Sequence, residues 1–442
     1  MSSFRISKIT LVRSDLMAPD QKHLIRWGAF LLLTLLTLIL FFRHTTSSAT
    51  LLYSPSSLAS LLASPADQPY LWQSHTWASM KYRVLFHFIV ETTSSLIMPR
   101  DTWTFYWSFV GWSFVFTCGT LFALWKLLDI LAFSVWQRLL GCLLFLSSFP
   151  ILFAYDYPIF TREDPLAYLL VVLSLIAATT SHRINFILFS TLGTMTRETT
   201  LVVPFCYMLV GSERFQRRLL YTLPSFVVFF LVRALLGYES YNPIVGARVN
   251  FDRPLEAFIF LFLTFGVVWL LALLRWSELW KTRSLLPIQK RTLYLYTPLA
   301  VVSLLFATST MGAFRENRIS FLLFPFIIIW ALDWVSAHVN ELLAFWHKRW
   351  LFVAWVGLTL SVVVLSQLML ADPTWVESML PVSIQARLIG GHTSIPKLLA
   401  SYPDIRWWIV YLVIQYMLVL MVAAICLRPL PNTDRGNTPR AI

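Results

Sequence analysis

Apolar runs, each bounded by charged or turn residues, recur along the chain from residue 27 to residue 427. About 20 apolar residues in a helix cross the hydrocarbon of a bilayer, and such a helix satisfies its own backbone hydrogen bonds. The pattern predicts spans near 27–42, 102–125, 139–154, 166–180, 184–196, 199–211, 219–236, 255–274, 293–308, 319–336, 351–371 and 407–427. The expected fold class is an all-α polytopic membrane protein with about 12 transmembrane helices. The runs 184–196 and 199–211 are short and separated only by Arg197 and Glu198, so they read as two half-length helices meeting at a membrane surface. Composition agrees. A chain of 442 residues that is 57% hydrophobic and 13% charged, with mean hydropathy +0.68, cannot cover its apolar surface with its own polar groups.

Charge sets the expected orientation. Arg5, Lys8, Arg13, Lys22 and Arg26 precede the first run, and 21 of the 35 Lys/Arg fall on that side if the spans alternate. Such an excess marks the cytoplasmic face. Both termini are therefore expected in the cytoplasm: residues 1–26 as an N-terminal segment leading into a retained first span, 27–427 as the membrane domain, and the polar 428–442 as a disordered tail. Acids show the opposite bias, with 14 of the 22 Asp/Glu on the outer side. The net charge of +13 is thus an inner-face property that answers to membrane lipids, not to nucleic acid, for which no recognition motif is present. The four cysteines lie in apolar runs without CxxC spacing, so neither a zinc site nor a disulfide framework is indicated. No hydrophilic segment approaches the roughly 100 residues of a nucleotide-binding α/β domain, which excludes a cytosolic sugar-nucleotide enzyme of the Rossmann kind.

The stretch 43–101 is the longest that is not plainly a span, and the charge bias places it outside. Residues 44–80 contain no Lys or Arg and one acid, Asp67. The following KYRVLFHFIVETTSSLIMPRD is too short to span and reads as a helix lying along the surface. Arg83, His87 and Glu91 fall four apart and form a polar stripe opposite Val84, Leu85, Phe88 and Ile89. The stripe fits either a binding face or the solvated face of an interfacial helix.

Three further outer clusters place Arg beside an acid: YDYPIFTREDP at 155–165, TRETT at 196–200 and GAFRENR at 312–318. Asp164 precedes Pro165 at the start of a span, the arrangement of an N-cap followed by Pro at the first helical position. That leaves Asp156 and Glu163 as the candidates for chemistry in this cluster. Arg197, Arg315 and Arg318, with Glu198 and Glu316 beside them, present planar forks suited to the oxygens of a lipid phosphate. Arg233, one turn from the end of its span, reads as a side chain snorkelling outward. If a divalent cation assists, Asp156 and Glu163 supply hard oxygen ligands, but no spacing specifies a metal and no cofactor is assigned.

The order of these features resembles the GT-C superfamily of polytopic glycosyltransferases over roughly residues 27–336: an outer loop after the first span with an acid in it, then KYRVLFHFI, TREDPLAYLL, GTMTRETTLVVP and ENRISFLLFPFI. The resemblance implies surface-lying helices and a catalytic acid in the first outer loop, and a sugar donor carried on a polyprenyl phosphate. Asp67 would be that acid, taking the proton from an acceptor hydroxyl while arginines stabilise the departing phosphate. The acceptor is a glycan, lipid or protein. One departure is that His44, Thr45 and Thr46 stand where many members carry the acid, soon after the first span. Other readings are a transporter or flippase of a lipid-linked saccharide, a polysaccharide ligase or polymerase, and a non-catalytic scaffold. Transporters usually interrupt helices near the midplane with glycine and place charges there, whereas this chain has 14 Gly and its charges fall at span ends.

Overall fold

A computed structural model describes residues 19–52, 84–97, 102–153, 164–236, 243–252, 254–280, 286–311, 318–347, 349–371 and 405–426. Among these residues the regular elements are all helical. In chain order α1 spans Pro19–Leu52, α2 Val84–Ile97, α3 Thr102–Ile130, α4 Val135–Leu146, α5 Phe149–Phe153, α6 Asp164–Thr179 and α7 Arg183–Thr196. A 3₁₀ turn at Glu198–Leu201 leads into α8, Val202–Val210. Then come α9 (Phe215–Leu236), α10 (Pro243–Asp252), α11 (Pro254–Phe265), α12 (Val267–Leu279), α13 (Ile288–Met311), α14 (Arg318–Phe321) and α15 (Phe324–Ala337). The last three are α16 (Val339–His347), α17 (Arg349–Ala371) and α18 (Ile405–Cys426).

Six of these helices contain stretches long and apolar enough to cross a membrane, at 24–42, 110–130, 215–236, 288–309, 350–368 and 406–426, as a multi-pass membrane protein requires. The other apolar runs depart from the expected single spans. The run 139–154 is divided at Ser147–Ser148 and the run 319–336 at Leu322–Leu323. The run 255–274 is bent by 76° at Gly266, and counts as a seventh candidate if its two halves are one span. Helices α4, α6, the turn with α8, and α15 are apolar but shorter than a full crossing.

The break at Gly266 has a local cause. Its φ of +55° is the left-handed region, and a Cβ there would sit 2.0 Å from the Gln415 side-chain oxygen of α18. That same oxygen accepts the Val267 N–H at 2.8 Å, supplying the partner that the interrupted helix no longer provides. A side chain from a distant helix thus completes the bend.

Helix α15 forms the centre of the core. Residues Phe324 to Trp334 are all buried, as expected of a helix that is apolar on every side. Trp330 donates to the Thr297 hydroxyl of α13 at 2.8 Å. Against α15 packs α4, whose start is fixed by a capping box between Ser134 and Gln137. Gln137 also donates to Ser336 at 2.6 Å. Close approach of α4 needs Gly141, where a Cβ would lie 2.6 Å from a Leu128 methyl and 2.9 Å from a Leu332 methyl. Seven buried hydroxyls are satisfied within their own helices: Thr37, Thr117, Thr120, Ser174, Thr194, Thr297 and Thr308 donate to the carbonyl four residues back at 2.7–2.9 Å. By contrast, none of the 350–368 stretch of α17 is buried inside the protein, and its main neighbour is α18.

Candidate functional site

Helices α6 and α7 run antiparallel around the short turn 180–182, so the start of α6 and the end of α7 share one end of the bundle. At that end Asp164 and Arg197 form a direct ion pair, each side chain only 2% exposed. Arg197 is held for this role by its backbone. Its N–H closes α7 onto the Gly193 carbonyl at 2.8 Å, its φ of −160° ends the helix, and its carbonyl accepts both the N–H and the hydroxyl of Thr200. Gly193 lets the turn fold back, since a Cβ there would lie 3.0 Å from the Thr200 hydroxyl. The chain therefore reverses around a guanidinium that is already engaged.

The next residue, Glu198, faces a different helix. Its carboxylate lies 3.6 Å from the Arg233 guanidinium, which also stacks over the Phe229 ring at 3.7 Å. Arg233 is buried, where the sequence suggested a side chain snorkelling outward. The partner Glu198 and the ring of Phe229 hold it inside the bundle. Likewise Asp164, read as a cap at the start of a span, carries a carboxylate that meets a buried arginine 33 positions later in the chain. Both pairs join a helix end to a turn, and a hydrogen bond from Ser225 to Ser190 at 2.9 Å ties α9 to α7 below them.

Two further elements stand at this end. Helix α2 packs on α3 and α7, burying Phe86 and Val90 against Phe116, Leu166 and Leu170, with Trp112 donating to Thr93 at 2.9 Å. Its buried face overlaps the expected one and is rotated from it: Leu85 and Ile89 pack against this cluster, whereas Phe88 points outward, 58% exposed, and Phe86 is fully covered. The reason is that α2 docks on protein rather than lying flat on a uniform apolar medium. Tyr168, one turn into α6, meets Phe321 and Phe324 edge-on at 5.1 and 5.8 Å, which brings α14 and the start of α15 to the Asp164 end.

Of the residues singled out from sequence, Arg197 and Glu198 are thus placed side by side, each with a partner the sequence reading did not assign. His87 is carried by α2 and Arg318 opens α14; their side chains lie outside what is described, as do Arg83, Glu91, Asp67, Asp156, Glu163, Arg315 and Glu316. Among the described residues no group of three or more His, Cys, Asp or Glu is arranged to hold a metal ion.

The opposite end carries a second charged network, centred on the buried Asp333, that the sequence reading missed. Asp333, near the end of α15, accepts from Arg275 of α12 at 2.7 Å and from Lys290 of α13 at 2.6 Å. Arg275 also reaches Glu278 at 2.9 Å. With two cations on one carboxylate, this cluster ties three helix ends together. Its signal in the sequence was an acid inside the otherwise apolar FPFIIIWALDWV. No protein-family model, curated protein or solved structure matches the chain.

Proposed function

We propose that the chain is a membrane glycosyltransferase that moves a sugar from a polyprenyl-phosphate donor to a glycan, lipid or protein acceptor on the outer face of the membrane. The observation that supports this reading is the convergence at one end of the bundle. The docked helix α2, the start of α6, the α7–α8 turn, the end of α9, the end of α14 and the start of α15 meet there around buried acid–arginine pairs. Charge buried at a helix end within a membrane protein is costly and marks function more often than packing. In this reading the chain crosses the membrane twelve times with both termini in the cytoplasm, as the Lys/Arg bias implies.

The division of labour follows from what each group touches. Arg197, spent on Asp164, is a positioning residue that fixes the turn presenting Glu198. Arg315 and Arg318 then serve the lipid phosphate, whose charge rises as the glycosidic bond breaks. Asp67 is the general base, with Asp156 and Glu163 as the alternatives, and direct attack by the acceptor hydroxyl inverts the anomeric carbon. A transporter of a lipid-linked saccharide is the second reading, favoured by the 76° bend at Gly266. Against it, the N–H freed at that bend is already bonded to Gln415 rather than offered to a cargo.

The test is transfer by purified protein in lipid. A polyprenyl-phosphate sugar should serve as donor and a free sugar nucleotide should not, and Asp67→Asn should lower transfer on the order of 100-fold at equal expression. Preference for the nucleotide sinks the proposal. Loss of activity in Asp156→Asn or Glu163→Gln, with Asp67→Asn unaffected, moves the base to the second outer loop.

A further inference from the structure

Helix α14 has four residues and opens on Arg318, which serves the lipid phosphate in the proposed reaction. A single turn has little stability of its own, because fixing its dihedrals costs more than its few hydrogen bonds return. Its place is set by what grips it. Ser320 and Phe321 are fully buried. The last two residues of α11 hold them: the Thr264 and Ser320 hydroxyls lie 3.4 Å apart, and Phe265 stacks on Phe321 at 5.4 Å. Tyr168 and Phe145 also pack on Phe321, at 5.1 and 5.7 Å. The direction of α11 is thereby passed to the segment that carries Arg318.

That direction turns on one hydrogen bond. In an unbroken helix the Val267 N–H would bond the Leu263 carbonyl four residues back, and α11 and α12 would run on as one. Instead the two are bent by 76°, and the N–H is taken at 2.8 Å by the Gln415 side-chain oxygen of α18. Val267 is buried, so its N–H needs one acceptor or the other. Gly266 makes the bent form accessible, with φ +55° and ψ −131°. The same α18 holds the α11 arm in that direction, since Tyr416 stacks on Phe262 at 5.1 Å and Trp408 meets Phe260 edge-on at 5.9 Å. Across the bend itself Trp269 donates to the Leu261 carbonyl at 3.1 Å. The acceptor for Val267, however, comes from outside the pair.

We infer that Gln415 is a positioning residue for the site at the Asp164 end of the bundle. By taking the Val267 N–H it selects the bent form of α11 and α12, and through Thr264 and Phe265 that form sets α14, and with it Arg318, for the donor phosphate. This role rests on the glycosyltransferase reading, whereas the coupling of Gln415 to α14 stands apart from it.

Substitutions of similar size separate the hydrogen bond from simple packing. Gln415→Glu keeps an oxygen that accepts the Val267 N–H, whereas the near-isosteric Gln415→Met removes it. Gln415→Asn, one methylene too short to reach, gives the same comparison with the amide retained. Trp355→Phe breaks the bond from α17 to the Met417 carbonyl of α18, leaves the bend untouched and serves as control. Amide hydrogen exchange of the full chain in detergent is read by mass spectrometry on peptides spanning 262–270 and 318–323. The second peptide holds the turn bonds from Leu322 to Ile319 and from Leu323 to Ser320. In Gln415→Met and Gln415→Asn both peptides should exchange on the order of 10-fold faster, as expected when one buried hydrogen bond is lost. Gln415→Glu and Trp355→Phe should match wild type in both. In transfer from a polyprenyl-phosphate sugar, Gln415→Met should raise the donor KM on the order of 10-fold with the acceptor KM unchanged, and Gln415→Glu should restore it. Faster exchange confined to 262–270, or none in either peptide, overturns the coupling. A fall in kcat alone with donor KM unchanged overturns the positioning role. Absence of transfer by wild type sinks the reaction and that role together, while exchange still decides the coupling.

Discussion

Replacing Asp164 by Asn separates two accounts of the α6 start. If the residue only caps the helix, the change is nearly silent, because Asn caps as well as Asp. If its role is to neutralise Arg197, the substitution leaves a guanidinium that is 2% exposed facing a neutral amide. Breaking a buried pair by removing one partner costs about 3–5 kcal/mol, a large part of the roughly 5–15 kcal/mol that keeps a protein folded. Arg197→Gln should cost a similar amount by stranding the carboxylate. The double variant Asp164→Asn with Arg197→Gln removes both charges and should be less damaging than the sum of the singles by at least about 1 kcal/mol, as expected for side chains in contact. Unfolding in mixed micelles, followed by tryptophan fluorescence on all four proteins, closes the cycle. Single variants within about 0.5 kcal/mol of wild type, with additive effects, would refute the pairing argument.

Gly266→Ala should destabilise the protein by more than the roughly 1 kcal/mol of an ordinary glycine change, because the new methyl meets Gln415 and the backbone has φ +55°. Gln415→Ala should cost about 1–3 kcal/mol through the stranded Val267 N–H and should not rescue Gly266→Ala; both are read by thermal unfolding. Asp333→Asn should be more damaging than Lys290→Met, since the first leaves two half-buried cations facing an amide while the second leaves Arg275 on the carboxylate; equal losses would contradict this. For orientation, a cysteine at Ser57 should label with an impermeant reagent in intact cells while one at Ser212 stays protected until permeabilisation, in a background without the exposed Cys426. The reverse pattern inverts the topology.

What was legible in the sequence is local. Apolar runs announced where helices lie, and the pairing of Arg197 with Glu198 in TRETT marked a helix end correctly. What stayed hidden crosses between helices. Asp164 carries Pro165 beside it, and that neighbour made a buried ion-pair partner look like a cap. Nothing in the spacing of Asp333, Arg275 and Lys290 shows that three helix ends converge, because periodicity describes one helix at a time. Gly266 sits in a run that reads as one span; the bend takes its form from Gln415, 149 positions later. In α2 the period was right and the face was partly right, with Leu85 and Ile89 packed as expected and Phe88 exposed. Phe86 and Val90 are chosen by the surface of α3 and α7 rather than by the stripe Arg83, His87 and Glu91. The candidate acids Asp67, Asp156 and Glu163 lie outside the described residues, so the base of the proposed reaction rests on sequence alone.

Helix α17 leads to a different consequence. No residue of its 19-residue apolar stretch is fully buried by protein, and at helical rise it measures about 28 Å, close to the hydrocarbon thickness of about 30 Å. Helices such as α7 and α15 take their length and angle from neighbouring side chains, whereas α17 has mainly α18 and the acyl chains to set its tilt. Membrane thickness is therefore a structural variable for this part of the molecule. In a thinner bilayer α17 is the segment that leans, at a cost of fractions of a kcal/mol per ångström, while the charge-tied interior keeps its arrangement.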